Sequence, residues 1–519
     1  DGAERRLGPR VDGIQRVPCP RSRAALLALP LTAASGNPVL GYNVTLLSSF
    51  VLAAFGTYLL VLRLTRSPAA GLVAGLAFAF SSYRLTNLAQ AQLLTAQWMP
   101  FALLALYGLL RRPGPRPAAA LVLFFWMQAV SSFYYALLLA LALAGLAVFE
   151  GVAALRRRPV GPDGAGGRRG RALVALFLAA GCCLLSLLPF ALPYFRVQRE
   201  LGFERSLADS EPFSASLRQY TQVPPGSVVA GQWLPSDEQP RGGGYPADAL
   251  FPGLAALILA AWGLIRGRGR TRWPYAGLLL AAFCLSLGPR LYLAPGQAAG
   301  LDLPLSYAWL YVVVPGFKGL RAPVRFDALV MLALAVLSGH GVAALLPPRQ
   351  TGMLTPQAGR PGFLTQPDRK CVSIIALLAG LVILESLIWP GARAEQVPVG
   401  DQVPPVYRWL AEQPPGPLLE LPMAFTEGGP QLDYQYLSTY HWRPTPDGYS
   451  GFVPPAHGQI VYEMERFPGE RAVSLLQALG VRLVVVHGEE HGTAEARHLP
   501  LGEVTPSVLV VTWPRKAPR

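Results

Sequence analysis

Three cationic side chains form the densest cluster of candidate chemistry in the chain. Lys318, Arg321 and Arg325 lie in the stretch PGFKGLRAPVRF, three and four residues apart. This spacing predicts one cationic helical face, although Pro323 limits the regularity of a helix there. Because arginine binds phosphate oxygens in pairs, the cluster is a candidate site for a lipid phosphate or diphosphate. Ordinary headgroup contact, or a salt bridge to Asp327, would explain the same charges.

A polar segment over residues 81–97, SSYRLTNLAQAQLLTAQ, is the second candidate. Its polar side chains stand at the mouth of an apolar region, where they are suited to lining a sugar-binding cavity. The alternative is an interfacial loop whose side chains satisfy its own backbone. The candidate cavity-lining residues of this segment are Arg84, Asn87, Gln90, Gln92 and Gln97.

Glu385 is an acidic residue within an otherwise apolar stretch of the chain. Ionisable groups at membrane depth are expensive to place and commonly mark functional sites. We therefore add Glu385 to the candidate cavity-lining residues. Snorkelling of its carboxylate to the outer headgroups is the alternative.

A carboxylate is the natural general base for deprotonating an acceptor hydroxyl. The long segment 193–248 offers five carboxylates, and spacing selects none of them over solvated surface charge. The catalytic residue is therefore left unassigned. The five are Glu204, Asp209, Glu211, Asp237 and Glu238.

No metal site is assigned from the sequence. The run His487–His491 (HGEEH) matches the H-x-x-E-H pattern of some metalloproteases, which requires a helix. Here it follows a β-branched run and contains Gly488, so we interpret it as a chance match in a turn after a strand. No cofactor is indicated, and dependence on a divalent metal is left open.

The elements that position these candidates belong to an unusually apolar chain. Of its 519 residues, 52% are hydrophobic and 14% are charged, against roughly 25% charged in an average soluble domain. A membrane span needs roughly 20 mostly apolar residues. About ten stretches are predicted spans: Leu40–Leu62, Pro68–Ser82, Leu93–Leu110, Pro117–Ser131, Tyr134–Ala153, Arg171–Leu192, Ala249–Ile265, Trp273–Gly288, Val324–Leu346 and Cys371–Pro390. The shorter stretch Leu305–Pro315 is half a span and is predicted to be re-entrant or interfacial.

The distribution of lysine and arginine orients these spans. Alternate loops that we assign to the cytoplasm hold 19 Lys and Arg in 62 residues, whereas the opposite loops hold 10 in 106. Positive loops stay cytoplasmic, so the long segment 193–248 and the tail face outside. The net charge of +15 is therefore explained by topology, and no nucleic-acid partner is predicted.

The two ends differ from this middle region. Residues 1–39 carry many arginines, begin without Met and include a predicted outer juxtamembrane helix over Ala24–Ala34. We expect that the chain lacks its true start, including a first span. Residues 391–519 hold 10 basic and 14 acidic residues and mix β-branched runs with helical patterns. This composition predicts a small extracytoplasmic α/β domain. The fold class is thus a mainly α polytopic membrane protein, with its spans in 40–390 and an α/β domain after them.

Several stretches resemble the spans of bacterial GT-C-type glycosyltransferases and their YfhO-like relatives. The resemblance covers most of residues 30–490 and rests on the general character of several stretches rather than on one diagnostic motif. The stretches that carry it are Asn43–Tyr58 (NVTLLSSFVLAAFGTY), Gly75–Arg84 (GLAFAFSSYR), Gln97–Pro100 (QWMP), Ser131–Tyr135 (SSFYY), Pro315–Phe326, Glu420–Pro422 and Gly448–Phe452.

This resemblance implies a membrane enzyme that uses a polyprenyl-phosphate-linked sugar as donor. Such enzymes transfer the sugar to an extracytoplasmic lipid, glycan or protein acceptor, here at the bacterial cytoplasmic (inner) membrane. Their catalytic acid lies in the first outer loop, and residues 1–23 show no matching context. We therefore transfer no catalytic residue from the family. A non-catalytic scaffold, or a lipid or polymer carrier in envelope assembly, remains the alternative.

Overall fold

The computed structural model divides the chain into two units that are described separately. The membrane unit comprises 21–241 and 246–394, and the C-terminal unit is formed mainly by 395–519. The residues that the structure describes are 25–88, 90–155, 165–201, 206–235, 240–241, 245–246, 249–295, 297–298, 304–314, 317–346, 369–388, 396–423, 430–447, 455–487, 501–505 and 508–512.

The membrane unit is built almost entirely from helices. The described helices are α1 (Ala25–Ser35), α2 (Pro38–Thr65), α3 (Pro68–Ala79), α4 (Ser82–Thr86), α5 (Ala91–Leu94), α6 (Trp98–Arg111), α7 (Pro115–Ser131), α8 (Phe133–Leu155), α9 (Ala165–Leu201), α10 (Leu254–Arg266), α11 (Arg272–Ser286), α12 (Ser306–Val313), α13 (Asp327–Leu345) and α14 (Arg369–Glu385). Short strands are β1 (Pro240–Arg241), β2 (Tyr245–Pro246), β3 (Tyr292–Ala294) and β4 (Gln297–Ala298), of which β3 and β4 pair antiparallel.

Five of the described helical segments are long and apolar enough to cross a membrane. They are Pro38–Thr65, Ala91–Arg111, Phe133–Ala153, Gly170–Leu188 and Pro323–Leu345. The other five predicted spans correspond to shorter helices, such as α3 with 12 residues and α10 with 13. The chain is therefore mainly helical with several membrane-length apolar helices, and the count of ten spans stays a prediction.

The break between α2 and α3 follows from local sequence. Arg66 adopts a left-handed conformation with φ of 61° and closes α2 through its backbone N–H to the carbonyl of Leu62. Ser67 then caps α3 by accepting a hydrogen bond from the amide of Ala70, and Pro68 occupies the first turn. A capping serine followed by proline is a strong helix start, so one apolar region becomes two helices.

The centre of the membrane unit is α13. This helix lies in the apolar segment Pro323–Leu345, and 83% of the most apolar 18 residues of that segment are buried within the protein. Glycines allow α10 to approach it closely, because a Cβ on Gly341 would overlap the carbonyl of Leu259 and one on Gly263 would overlap that of Leu337. Small residues at such contacts are typical of helix packing in membranes.

The predicted half-span is a short helix. It runs over Ser306–Val313 and leaves Trp309, Val312 and Val313 from 65 to 76% exposed. Eight residues rise about 12 Å, which is less than half the thickness of a hydrocarbon core. An exposed apolar helix of this length is suited to an interface rather than to a crossing.

The C-terminal unit combines helices with a four-stranded sheet. Its helices are α15 (Pro405–Glu412), α16 (Gln431–Leu437), α17 (Pro455–Met464) and α18 (Glu470–Ala478), and its strands are β5 (Leu418–Leu421), β6 (Leu483–His487), β7 (Leu501–Thr505) and β8 (Val508–Thr512). The strand order is β5–β6–β8–β7, with β5 and β6 parallel and the other pairs antiparallel. β5 and the first four residues of β6 are buried, as expected for strands with cover on both faces, and β5 contains the buried Glu420.

Candidate functional site

The cationic stretch folds as two short turns and not as one helical face. A 3₁₀ turn covers Phe317–Gly319, and a second covers Pro323–Phe326 immediately before α13. The proline begins the second turn, because it restricts the preceding residue to extended backbone and supplies no amide. We call residues 317–326 the basic turn. The predicted alignment of its three cations on one helix is therefore wrong.

Buried aromatic rings hold the basic turn in place. Phe317 is fully buried, 5.1 Å from the ring of Tyr307 and 6.2 Å from that of Phe326. The hydroxyl of Tyr307 donates a hydrogen bond to the carbonyl of Leu320, at 3.0 Å. These contacts fix the backbone on which the cations stand.

The three cations differ in exposure and surroundings. Lys318 is exposed, whereas Arg321 and Arg325 are half-buried. The guanidinium of Arg321 lies 4.0 Å from the ring centre of Phe213, and that of Arg325 lies 4.6 Å from the ring centre of Tyr134. Both arginines are thus positioned by cation–π contacts.

A carboxylate lies in the turn that packs against the second half of the basic turn. This turn, Ala208–Phe213, contains Glu211 and supplies the ring under Arg321. Glu211 Oε2 accepts a hydrogen bond of 2.8 Å from the hydroxyl of Tyr292, and Oε1 lies 3.7 Å from Arg290 Nε. Burial, reinforced by the carboxylate of Glu211, raises the pKa of Tyr292 to about 12. The hydroxyl therefore stays protonated and donates to Glu211 at neutral pH.

The structure thus packs the turn that contains Glu211 against the basic turn, although the two are far apart in sequence. Of the five candidate carboxylates, Glu204, Asp237 and Glu238 lie outside the described residues, and Asp209 is exposed. Sequence reasoning did not select Phe213, Tyr134, Arg290 or Tyr292. Arg290 carried a usable signal, because it is one of the few cations in a segment predicted to face outside.

Arg84 is enclosed by the protein. It is 2% exposed and donates to the carbonyls of Ala79 and Leu94 and to the hydroxyl of Ser49, at 3.1, 2.6 and 3.2 Å. Its guanidinium also lies 4.6 Å from the ring centre of Phe50. These contacts tie α2 to the segment around α4 and α5, and they favour a structural role over a cavity-lining one.

The other polar residues of this segment differ in exposure. Asn87 is buried and donates to the carbonyl of Tyr83 at 2.8 Å, and Gln92 is exposed. Gln97 is 1% exposed, and its side-chain oxygen has no hydrogen-bond partner among the described residues. Gln90 is half-buried. A shared cavity for these residues therefore stays a prediction.

Glu385 caps a neighbouring helix. Both of its carboxylate oxygens accept from the backbone amide of Ala255 at 3.1 Å, in the first turn of α10. A negative charge at a helix N-terminus is favourable. This contact explains how an acidic residue at the end of an apolar helix is satisfied.

The C-terminal unit contains a second polar cluster that the sequence did not indicate. Glu420 is 5% exposed and lies within hydrogen-bond distance of the hydroxyl of Tyr407 and of His487 Nε2, at 2.6 and 3.1 Å. Because His487 ends strand β6, the first histidine of the H-x-x-E-H match is not on a helix; His491 lies outside the described residues. Within the described ranges, no group of three or more His, Cys, Asp or Glu side chains is placed to hold a metal ion.

Comparison with solved structures shows a similarity in fold. The chain is similar to ArnT from Cupriavidus metallidurans bound to undecaprenyl phosphate, with 12% identity and a TM-score of 0.47 over 96% of this chain and 88% of that one. No family model and no curated protein sequence matches the chain. Similarity at this level leaves function to be inferred from the chain's own residues.

Proposed function

We propose that this protein is a membrane glycosyltransferase-like protein that binds a polyprenyl-phosphate-linked sugar at the basic turn. The observation that carries the proposal is the packing of the Glu211 turn against the arginines of the basic turn. Sugar transfer from a phosphate-linked donor requires cations that stabilise the departing phosphate and a carboxylate that acts as a general base. The membrane-length apolar helices provide an apolar environment for a polyprenyl chain.

In this proposal the arginines and the carboxylate have separate tasks. Arg321 and Arg325 hold the donor phosphate and stabilise the charge that develops on it as the sugar leaves. Glu211 accepts the proton of the acceptor hydroxyl, while Tyr292 and Arg290 orient its carboxylate. The sugar–phosphate bond breaks, a bond to the acceptor oxygen forms, and the lipid phosphate is released.

Donor binding by defined variants tests the first half of the proposal. We expect the double variant Arg321→Ala, Arg325→Ala to lose at least tenfold affinity for a polyprenyl phosphate in nanodiscs, because each charge-assisted contact contributes about 1.5–3 kcal/mol. Arg266→Ala is the matched control, since Arg266 also makes a cation–π contact, 5.5 Å from the ring centre of Trp262, at the opposite predicted membrane face. Wild-type affinity in the double variant would remove the phosphate site.

Transfer by a Glu211→Gln variant tests the second half. The variant keeps an acceptor for the hydroxyl of Tyr292 but is a poor base, so we expect bound donor without turnover. Turnover would be measured with radiolabelled polyprenyl-phosphate sugar and membrane extract as the acceptor source. Donor binding with no transfer by the wild-type chain would favour the scaffold or carrier alternative.

A further inference from the structure

One tyrosine contacts the basic turn at two points. Tyr134 lies in the first turn of α8, which begins after Ser132, whose carbonyl accepts from the amide of Ala136 at 3.0 Å. The ring centre of Tyr134 lies 4.6 Å from the guanidinium of Arg325, and the hydroxyl of the same residue donates to the carbonyl of Ala322 at 2.5 Å. This hydrogen bond joins residues 188 positions apart, so it is a tertiary contact and not a product of local helix geometry.

Both contacts converge on one turn of backbone. The carbonyl of Ala322 also accepts from the amide of Arg325 at 3.1 Å, and this hydrogen bond closes the 3₁₀ turn before α13. A carbonyl oxygen has two lone pairs and can accept from both donors. Tyr134 therefore holds the backbone from which Arg325 extends as well as the guanidinium at the end of that side chain.

The surroundings of these contacts favour a fixed arrangement. Ala322 is 4% exposed, and Val324 and Phe326 are also buried, so the backbone that carries Arg325 is enclosed. Water has little access there to replace the hydroxyl of Tyr134. A free arginine side chain samples many rotamers and loses them when it binds a ligand, whereas one that is already held on a ring has less freedom to lose.

We infer that Tyr134 is a positioning residue for the donor phosphate and acts through Arg325. The inference rests on the proposed function, because the phosphate it concerns is the one assigned to the basic turn. The ring and the hydroxyl hold the guanidinium in place before the donor arrives, so the phosphate meets a preorganised charge. The part of Tyr134 is to hold this cation and not to react with the sugar or the phosphate.

Affinity for a polyprenyl phosphate, measured with full-length variants in nanodiscs, tests the inference. Tyr134→Leu removes the ring and the hydroxyl, and we expect it to weaken binding about five- to tenfold, in the range of a partly desolvated cation–π contact. Tyr134→Phe keeps the ring, so it should weaken binding by about threefold or less. Tyr107→Leu is the matched control and should bind like the wild type. Tyr107 carries the guanidinium of Arg111 at 4.7 Å, near the end of α6 that is predicted to face the cytoplasm.

A double-mutant cycle separates positioning from general packing. If Tyr134 acts through Arg325, Tyr134→Leu should cause little further loss in a protein that already carries Arg325→Ala. Two losses that multiply instead would mean that Tyr134 acts on binding by another route, and they would overturn the inference. If Tyr134→Leu does not fold, Tyr134→Met replaces it in the cycle, because methionine fills more of the space and also lacks a ring.

The same measurements distinguish this inference from the proposed function. Wild-type affinity in Arg325→Ala would remove Arg325 from the phosphate site, and the inference would fail with it. Lost affinity in Arg325→Ala together with wild-type affinity in Tyr134→Leu would overturn the role of Tyr134 alone. A purely structural role for Tyr134 predicts a lower Tm with unchanged affinity below the transition, whereas we expect weakened binding at temperatures where the variant is fully folded.

Discussion

Replacing Arg84 by methionine separates a structural role for this residue from a cavity-lining one. Methionine has a similar length but no donor, so the carbonyls of Ala79 and Leu94 and the hydroxyl of Ser49 each lose a partner. Each unsatisfied buried group costs about 1–3 kcal/mol. Relief of the desolvation of a buried guanidinium offsets part of this cost. The carbonyl of Leu94 still accepts from the amide of Ala96, and the hydroxyl of Ser49 still donates to the carbonyl of Leu46, so fewer than three groups are left unsatisfied. We expect a net loss of about 1–2 kcal/mol in the free energy of unfolding.

The assay for this variant is thermal unfolding in detergent, followed by intrinsic fluorescence. A loss of about 1–2 kcal/mol should lower the Tm by roughly 2–4 °C, with polyprenyl-phosphate affinity retained below the transition. Arg112→Met is the control, because Arg112 is exposed at the end of α6 and its loss should change stability by less than about 0.5 kcal/mol. An unchanged Tm for Arg84→Met together with lost sugar binding would refute the structural role.

Two further predictions concern helix packing and pH. Gly341→Ala should lower the Tm, because its Cβ would overlap the carbonyl of Leu259, whereas Gly277→Ala meets no atom within 4 Å and should raise the Tm slightly. Burial lowers the pKa of His441, so the folded protein favours the neutral ring. This contribution to stability is complete above about pH 6.5, the unfolded value, and is lost as the pH falls through the lower folded value. His441→Gln should therefore flatten the acid limb of a plot of Tm against pH.

Hydropathy located the helices of the membrane unit because membrane burial depends on composition more than on contacts. The predicted spans Leu40–Leu62 and Tyr134–Ala153 correspond to helices Pro38–Thr65 and Phe133–Leu155. The β-branched run that precedes the HGEEH motif is likewise largely a strand, Leu483–His487. In these cases local sequence and tertiary structure favour the same element. Composition alone did not decide whether helices of 12–17 residues cross the membrane.

The candidate site was harder to predict because its groups meet only in three dimensions. Charge spacing identified the cations of the basic turn, but the effect of Pro323 on backbone geometry was underestimated. Glu211 was one of five equivalent carboxylates until the fold placed it beside Tyr292, 81 residues away in the chain. Phe213 and Tyr134 carried no polar signal, yet they position the two arginines. Sequence spacing can indicate a charge but not the ring on which it rests.

Glu385 shows why an acidic residue in an apolar helix needs a structural explanation before a functional one. Helix α10 begins after Phe251, Pro252 and Gly253, none of which offers a side-chain oxygen to cap it. The amides of its first turn therefore need an acceptor from elsewhere in the fold, and Glu385 supplies one to Ala255. Gly253 permits this approach, because it has φ of +91° and a Cβ there would lie 2.8 Å from Glu385 Oε2. The missing local cap and the carboxylate within the apolar stretch are thus two halves of one interaction, and neither half alone indicates a catalytic site.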